Sequence, residues 1–149
     1  MAQDAQSTYG DVGDYYKNYY QRMMGSQSTG LMSKLAKYPH RVMERNANSY
    51  QVDILELGAG SLEHLSHVNQ QFKTYFATDI DRERLLSSQS HDSRLERLVA
   101  DAHALPFNDK IFDRVIATCL LAHLVDPENA LKEWLRVTKD DGVITIRTS

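Results

Sequence analysis

The feature that most constrains this chain is the segment Val52 to Gly60, a short, largely apolar run that ends in Gly58-Ala59-Gly60. The run is too short for a buried helix and shows little polar alternation. It therefore reads as a strand covered on both faces and delivered into a tight turn, where glycine permits a sharp change of direction and close approach of another group. Strands of that type belong to parallel sheets, whose successive strands must be joined by crossovers that place helices on the faces.

The rest of the second half supplies such units. Ser61 is placed to cap a helix carrying Leu62, Leu65 and Val68, and Thr74 to Ile80 gives a second strand. Asp81 caps the next predicted helix, with Leu85 and Leu86 as its apolar stripe, and Arg97 to Ala100 gives a short third strand. Asp101 to Lys110 contains Pro106, Asn108 and Asp109 and reads as a loop before a fourth strand, Phe112 to Thr118. Asp126-Pro127 starts a helix with Ala130, Leu131, Trp134 and Leu135 on its apolar face, and Asp141-Gly142 turns the chain into a fifth strand, Val143 to Ile146. The predicted fold is a doubly wound, mostly parallel α/β sheet over residues 51–149, the core of a single domain that takes in the whole chain. The sheet is preceded by a tyrosine-rich helical cap over residues 1–50 (Tyr9, Tyr15, Tyr16, Tyr19, Tyr20). The cap reads either as a lid or as a packed helical face.

In such a sheet, ligands bind beyond the carboxyl ends of the strands where the winding reverses, beside the first strand. Three successive strand ends carry chemistry there: the Gly58 to Gly60 turn, Asp79 and Asp101. Glycine-rich turns without a ligand, and aspartates that only initiate turns, are the plain alternatives at each position taken alone. An acid at the second strand end is also suited to accept both hydroxyl protons of a ribose, and Asp81 is available for the capping that would otherwise occupy Asp79.

VDILELGAGSLEHL, then FATDID, then the stretch from VADAHALPFNDK to GVITI resembles the class I S-adenosylmethionine-dependent methyltransferases, in particular the small-molecule branch called methyltransferase type 11. The resemblance covers residues 51–148 and implies a Rossmann-like fold, S-adenosylmethionine as cofactor and methyl transfer to a small-molecule acceptor. It places the amino-acid end of the cofactor over Glu56, Gly58, Ala59 and Gly60, and the ribose on Asp79 with Ile80 against the adenine. Asp101 and Ala102 would meet the adenine edge, and Cys119 opens the segment that flanks the methionine part. A nicotinamide or flavin dehydrogenase is disfavoured by Glu63, which stands where that fingerprint has its third small residue and would repel a pyrophosphate.

No catalytic residue is assigned, because a sulfonium methyl is already activated and transfer needs chiefly an oriented nucleophile. His123, with Asp126 nearby in sequence, is the base candidate for a hydroxyl acceptor, against a plain role in lining the pocket. His64 and His67 read as solvated helix histidines and no metal site is expected. Net charge −3 gives no electrostatic reason for a nucleic-acid or membrane partner, and the single cysteine and polar amino terminus place the chain in the cytoplasm. The family sheet has seven strands, and this chain is expected to lack the last two. That leaves a fifth-strand edge open to homodimer pairing, and an alternative reading as an inactive binding or assembly module, or a fragment of a longer methyltransferase.

Overall fold

A computed structural model describes residues 52–148. The predicted cap over residues 1–50 lies outside the described residues. Five strands form one wholly parallel sheet: β1 (Val52–Leu57), β2 (Phe72–Asp79), β3 (Leu95–Val99), β4 (Phe112–Thr118) and β5 (Thr138–Arg147), in the order β3-β2-β1-β4-β5. The chain winds outward from β1 to β3, returns to the other side of β1 for β4, and then winds outward again to β5. The reversal lies beside β1, as a doubly wound sheet requires.

Alternation along the central strands sorts the core into two layers. Ile54 and Ile116 face one layer with Ala59, Leu62, Phe72, Tyr75, Ala77, Leu85 and Leu95. Leu55, Leu57, Val115 and Ala117 face the other with Leu105, Phe112, Ala130, Trp134 and Val137. Helix α1 (Arg82–Ser87) contributes Leu85 to the first layer, and helix α2 (Pro127–Val137) covers the second. Both helices start as their sequences predict: Asp81 accepts the Arg84 N–H, and Asp126 accepts the Asn129 N–H with Pro127 in the first turn. Two expected stripe residues, however, face solvent. Leu86 is 50% and Leu135 64% exposed, and Val137 takes the buried place expected of Leu135.

Between β1 and β2 the expected helix does not form. Leu62 takes φ +64°, close after Gly58 at +64° and Gly60 at +51°, and three left-handed residues in five do not support an α-helix. The segment is a turn followed by one 3-10 turn, Leu65–His67. Leu62, Leu65 and Val68 still pack on the first core layer, Leu62 from the turn and Leu65 and Val68 from the 3-10 turn and its cap. Ser61 does not cap a helix; its hydroxyl lies 3.4 Å from Glu63 Oε1. His64 is buried at 1% exposure, contrary to the solvated position expected of it.

β5 also begins earlier than expected. The Thr138 hydroxyl donates to Trp134 O at 2.6 Å, and its backbone N–H caps the same carbonyl, so the chain passes from α2 into the strand without a turn. Pairing with β4 jumps from Phe112↔Thr138 to Arg114↔Val143, which leaves Asp141-Gly142 inside an irregular stretch of the strand. Lys139 secures that stretch through Asp113 Oδ1 at 2.7 Å.

Trp134 is fully buried and donates its indole N–H to Ala102 O at 3.0 Å. Trp134→Ala is expected to cost about 3–5 kcal/mol in urea unfolding, and Trp134→Phe, which keeps most of the packing, about 1–2 kcal/mol. A Trp134→Phe variant as stable as the wild type would mean that the indole N–H contributes nothing.

Candidate functional site

The carboxyl ends of β1, β2, β3 and β4 converge on one set of residues. At its centre is the Asp79 carboxylate, 8% exposed at the end of β2. Oδ2 accepts the Gly60 N–H at 2.7 Å and Oδ1 accepts the Asp81 N–H at 2.8 Å. One side chain thus fixes the glycine turn after β1 and the entry to α1. Burial pushes the Asp79 carboxyl above its ordinary value of 3.8, against the pull of the Asp81 and Gly60 hydrogen bonds and the Arg84 charge. The Ala100 N–H donates to Asp79 O at 3.1 Å, which links this corner to the segment leading into Asp101.

The glycine turn is crowded where side chains would stand. A Cβ at Gly58 would meet Leu120 Cδ1 at 3.0 Å, and one at Gly60 would meet Arg84 Nη2 at 2.8 Å. Three of its backbone donors are already committed. Ala59 N–H donates to Thr78 O at 2.9 Å, Gly60 N–H to Asp79, and Leu62 N–H to Ala59 O at 2.8 Å. A phosphate-cradling loop instead aims such N–H groups at the anion from a helix start. Here the turn ends in a carboxylate and no α-helix follows it, so the corner suits hydroxyl donors and a cationic ligand rather than a pyrophosphate.

The other sequence-predicted residues surround this corner. Glu56 is 2% exposed below the turn, where Oε2 accepts the Tyr75 hydroxyl at 2.8 Å, and the Thr78 hydroxyl donates to Glu56 O at 3.0 Å. Ile80, 37% exposed, follows Asp79 at the mouth. Asp101 lies at the start of the loop after β3, where Oδ1 accepts the His103 backbone N–H at 2.9 Å and lies 2.7 Å from His103 Nδ1. Ala102 is held through its carbonyl by Trp134. Cys119 leaves β4 at φ +56° and donates its N–H to Arg147 O at 2.8 Å, so the segment turns back toward Gly58 through Leu120.

Two further residues belong to this corner although the sequence did not single them out. Arg84 lies one turn into α1 with its guanidinium against Gly60, and His103 braces Asp101. The partner proposed for Asp126 also changes: its carboxylate caps α2, and its backbone N–H donates to His103 Nε2 at 3.4 Å, while His123 sits half-buried in a 3-10 turn. Among the described residues no cluster of His, Cys, Asp or Glu is arranged for a metal ion. None of the described helices is long and apolar enough to cross a membrane.

A family model described as "Methyltransferase domain" matches residues 55–146, more than half of the chain. The chain belongs to this family. It is 30% identical over 93 residues to a demethylmenaquinone methyltransferase of Mycolicibacterium paratuberculosis, covering 62% of this chain and 40% of that protein. It is 33% identical over 95 residues to a malonyl-[acyl-carrier protein] O-methyltransferase of Geobacter sulfurreducens, covering 60% and 36%. The chain thus spans well under half the length of these two relatives. Among solved structures, the complex of the Haloferax volcanii Trm112 methyltransferase activator with a methyltransferase matches with a TM-score of 0.73 at 22% identity, covering 91% of this chain and 59% of that one. That likeness establishes the same fold.

The raised Asp79 value fixes the sign of one pH effect. Between 3.8 and the higher folded value, the folded protein keeps a proton that the unfolded chain has released. Stability from this group is therefore complete below 3.8 and is lost as pH rises through the folded value. Asp79→Asn removes that loss, so as pH rises from 3.8 its urea midpoint is expected to climb more steeply than the wild type's. Parallel profiles would contradict the assignment.

Proposed function

We propose that residues 52–147 are the S-adenosylmethionine-binding part of a methyltransferase acting on a small-molecule acceptor. The observation that carries this reading is the buried Asp79 carboxylate, which closes the glycine turn by taking the Gly60 N–H and offers its oxygens to ribose hydroxyls at the end of β2. In this reading Asp79 accepts the ribose hydroxyls and Ile80 lies against the adenine. Asp101 and Ala102 meet the adenine edge, while Glu56 supports Gly58, Ala59 and Gly60 beneath the amino-acid end. Cys119 begins the wall along the methionine part.

When bound, the cofactor supplies a methyl group activated by its positive sulfur. The residues of this chain bind and orient it. The two strand-end carboxylates, Asp79 and Asp101, give the corner a field that favours a cation over an anion. Orientation of the acceptor along the sulfur–methyl axis accounts for much of the rate, and no residue of this chain is assigned as an acid or base. The small-molecule class is supported by the family membership, and the two relatives' names, a demethylated menaquinone and a carrier-bound malonyl group, differ in acceptor within that class.

Calorimetric titration with S-adenosylmethionine and S-adenosylhomocysteine tests the reading. Micromolar binding to the wild-type chain is expected, weakened at least about tenfold in Asp79→Ala, which corresponds to loss of one charge-assisted hydrogen bond or more. No binding by the folded wild-type chain, or equal binding by the variant, would sink it.

A further inference from the structure

We propose that His103 is the positioning residue that gives this site its preference for adenine over other purines. The inference rests on the S-adenosylmethionine reading above and deepens it.

The loop after β3 holds Asp101 and His103 in an unusually determined arrangement. The His103 backbone N–H and ring Nδ1 both reach the same oxygen, Asp101 Oδ1, at 2.9 and 2.7 Å. On its other side the ring meets the backbone of Asp126, whose N–H points at Nε2 at 3.4 Å. A backbone N–H only donates, so Nε2 is the acceptor, and the proton of the neutral ring sits on Nδ1 and is donated to Asp101. The ring is thus wedged between the carboxylate and the capped start of α2, where Asp126 accepts the Asn129 N–H at 3.1 Å and Asn129 Nδ2 approaches His103 O at 3.5 Å. Side-chain exposures of 22% for His103 and 21% for Asp101 leave both groups at the mouth rather than in the core.

This tautomer has a chemical consequence. Donation from Nδ1–H, added to that from the His103 backbone, holds Asp101 Oδ1 in place, and a carboxylate can accept more hydrogen bonds than these two. The 6-amino group of adenine is a donor, whereas the 6-oxo group of hypoxanthine is an acceptor that would face the carboxylate with no proton between them. A carboxylate held in place makes that mismatch costly, and one free to rotate away does not. Selectivity therefore depends on the ring that immobilises Asp101 as well as on Asp101.

The test is the ratio of dissociation constants for S-adenosylhomocysteine and S-inosylhomocysteine, measured on the whole 149-residue chain as wild type, His103→Ala and His103→Asn, each checked for folding by circular dichroism. The wild type is expected to prefer the adenosyl ligand by about tenfold or more, and His103→Ala to bring the ratio close to one. His103→Asn, whose amide nitrogen can stand near the place of Nδ1, is expected to restore most of the preference. A purely structural role would weaken both ligands alike, and an unchanged ratio in His103→Ala would overturn the inference while leaving the cofactor reading intact. An asparagine variant that behaves like alanine would overturn the donor assignment. Failure of the wild type to bind either ligand would defeat the cofactor reading itself, and the inference with it.

Discussion

The geometry of the site depends on one buried carboxylate. Asp79 ties three elements together at the site: the turn after β1 through Gly60, the start of α1 through Asp81, and the end of β2 on which it stands. Hydrogen bonds to an ionised acceptor are stronger than neutral ones, and inside a protein they are screened less than in water. The arrangement has a cost, since burial disfavours the charge and raises the carboxyl above its ordinary value. A group held in that state is poised to gain from further hydroxyl donors, which is the property required of a ribose-binding acid.

A second set of restraints fixes the loop carrying Asp101. α2 clamps it from one side: Trp134 holds Ala102 O, Glu133 accepts the Leu105 N–H at 2.8 Å, and Arg136 reaches Leu105 O and Phe107 O at 3.1 and 2.8 Å. Glu133 is itself held by Arg136 at 2.7 Å, and this pairing keeps its carboxyl below the usual range. From below, Phe107 packs edge-on against Phe76 of β2 and Phe112 of β4, with ring centroids 5.4 and 4.9 Å away. Irregular backbone is thereby given the rigidity of a helix on one side and an aromatic cluster on the other, which is how a loop can present a carboxylate at a defined place.

The sequence revealed the parts of this fold that are governed locally. β1 and β4 are dense apolar runs ended by turn chemistry, and both occupy the predicted residues. Asp81 and Asp126 cap helices because a side-chain oxygen and the third N–H onward are sequence neighbours. Departures arose where tertiary context decided. Spacing of Leu62, Leu65 and Val68 fits an α-helix, but the left-handed backbone at Leu62 leaves a turn followed by a 3-10 turn. Leu86 and Leu135 lie on helix faces that the sheet does not cover, so periodicity alone overestimated the buried stripe. His103 was invisible because its partners on α2 lie more than twenty residues away, although the Asp-Ala-His spacing that brings its ring to Asp101 is local.

The central claim is that the carboxyl ends of β1 to β3, organised by Asp79, hold the adenosine of S-adenosylmethionine. Backbone amide NMR during titration with S-adenosylhomocysteine tests it most directly, because Gly60, Asp81 and His103 each donate an N–H to one of the two carboxylates. The account predicts that these three amides shift strongly and together. The Asp53 and Arg94 amides, which donate to Asp113 and Asp92 at the opposite ends of their strands, should stay in place. Saturable binding that moves the second pair and leaves the first unchanged would contradict it.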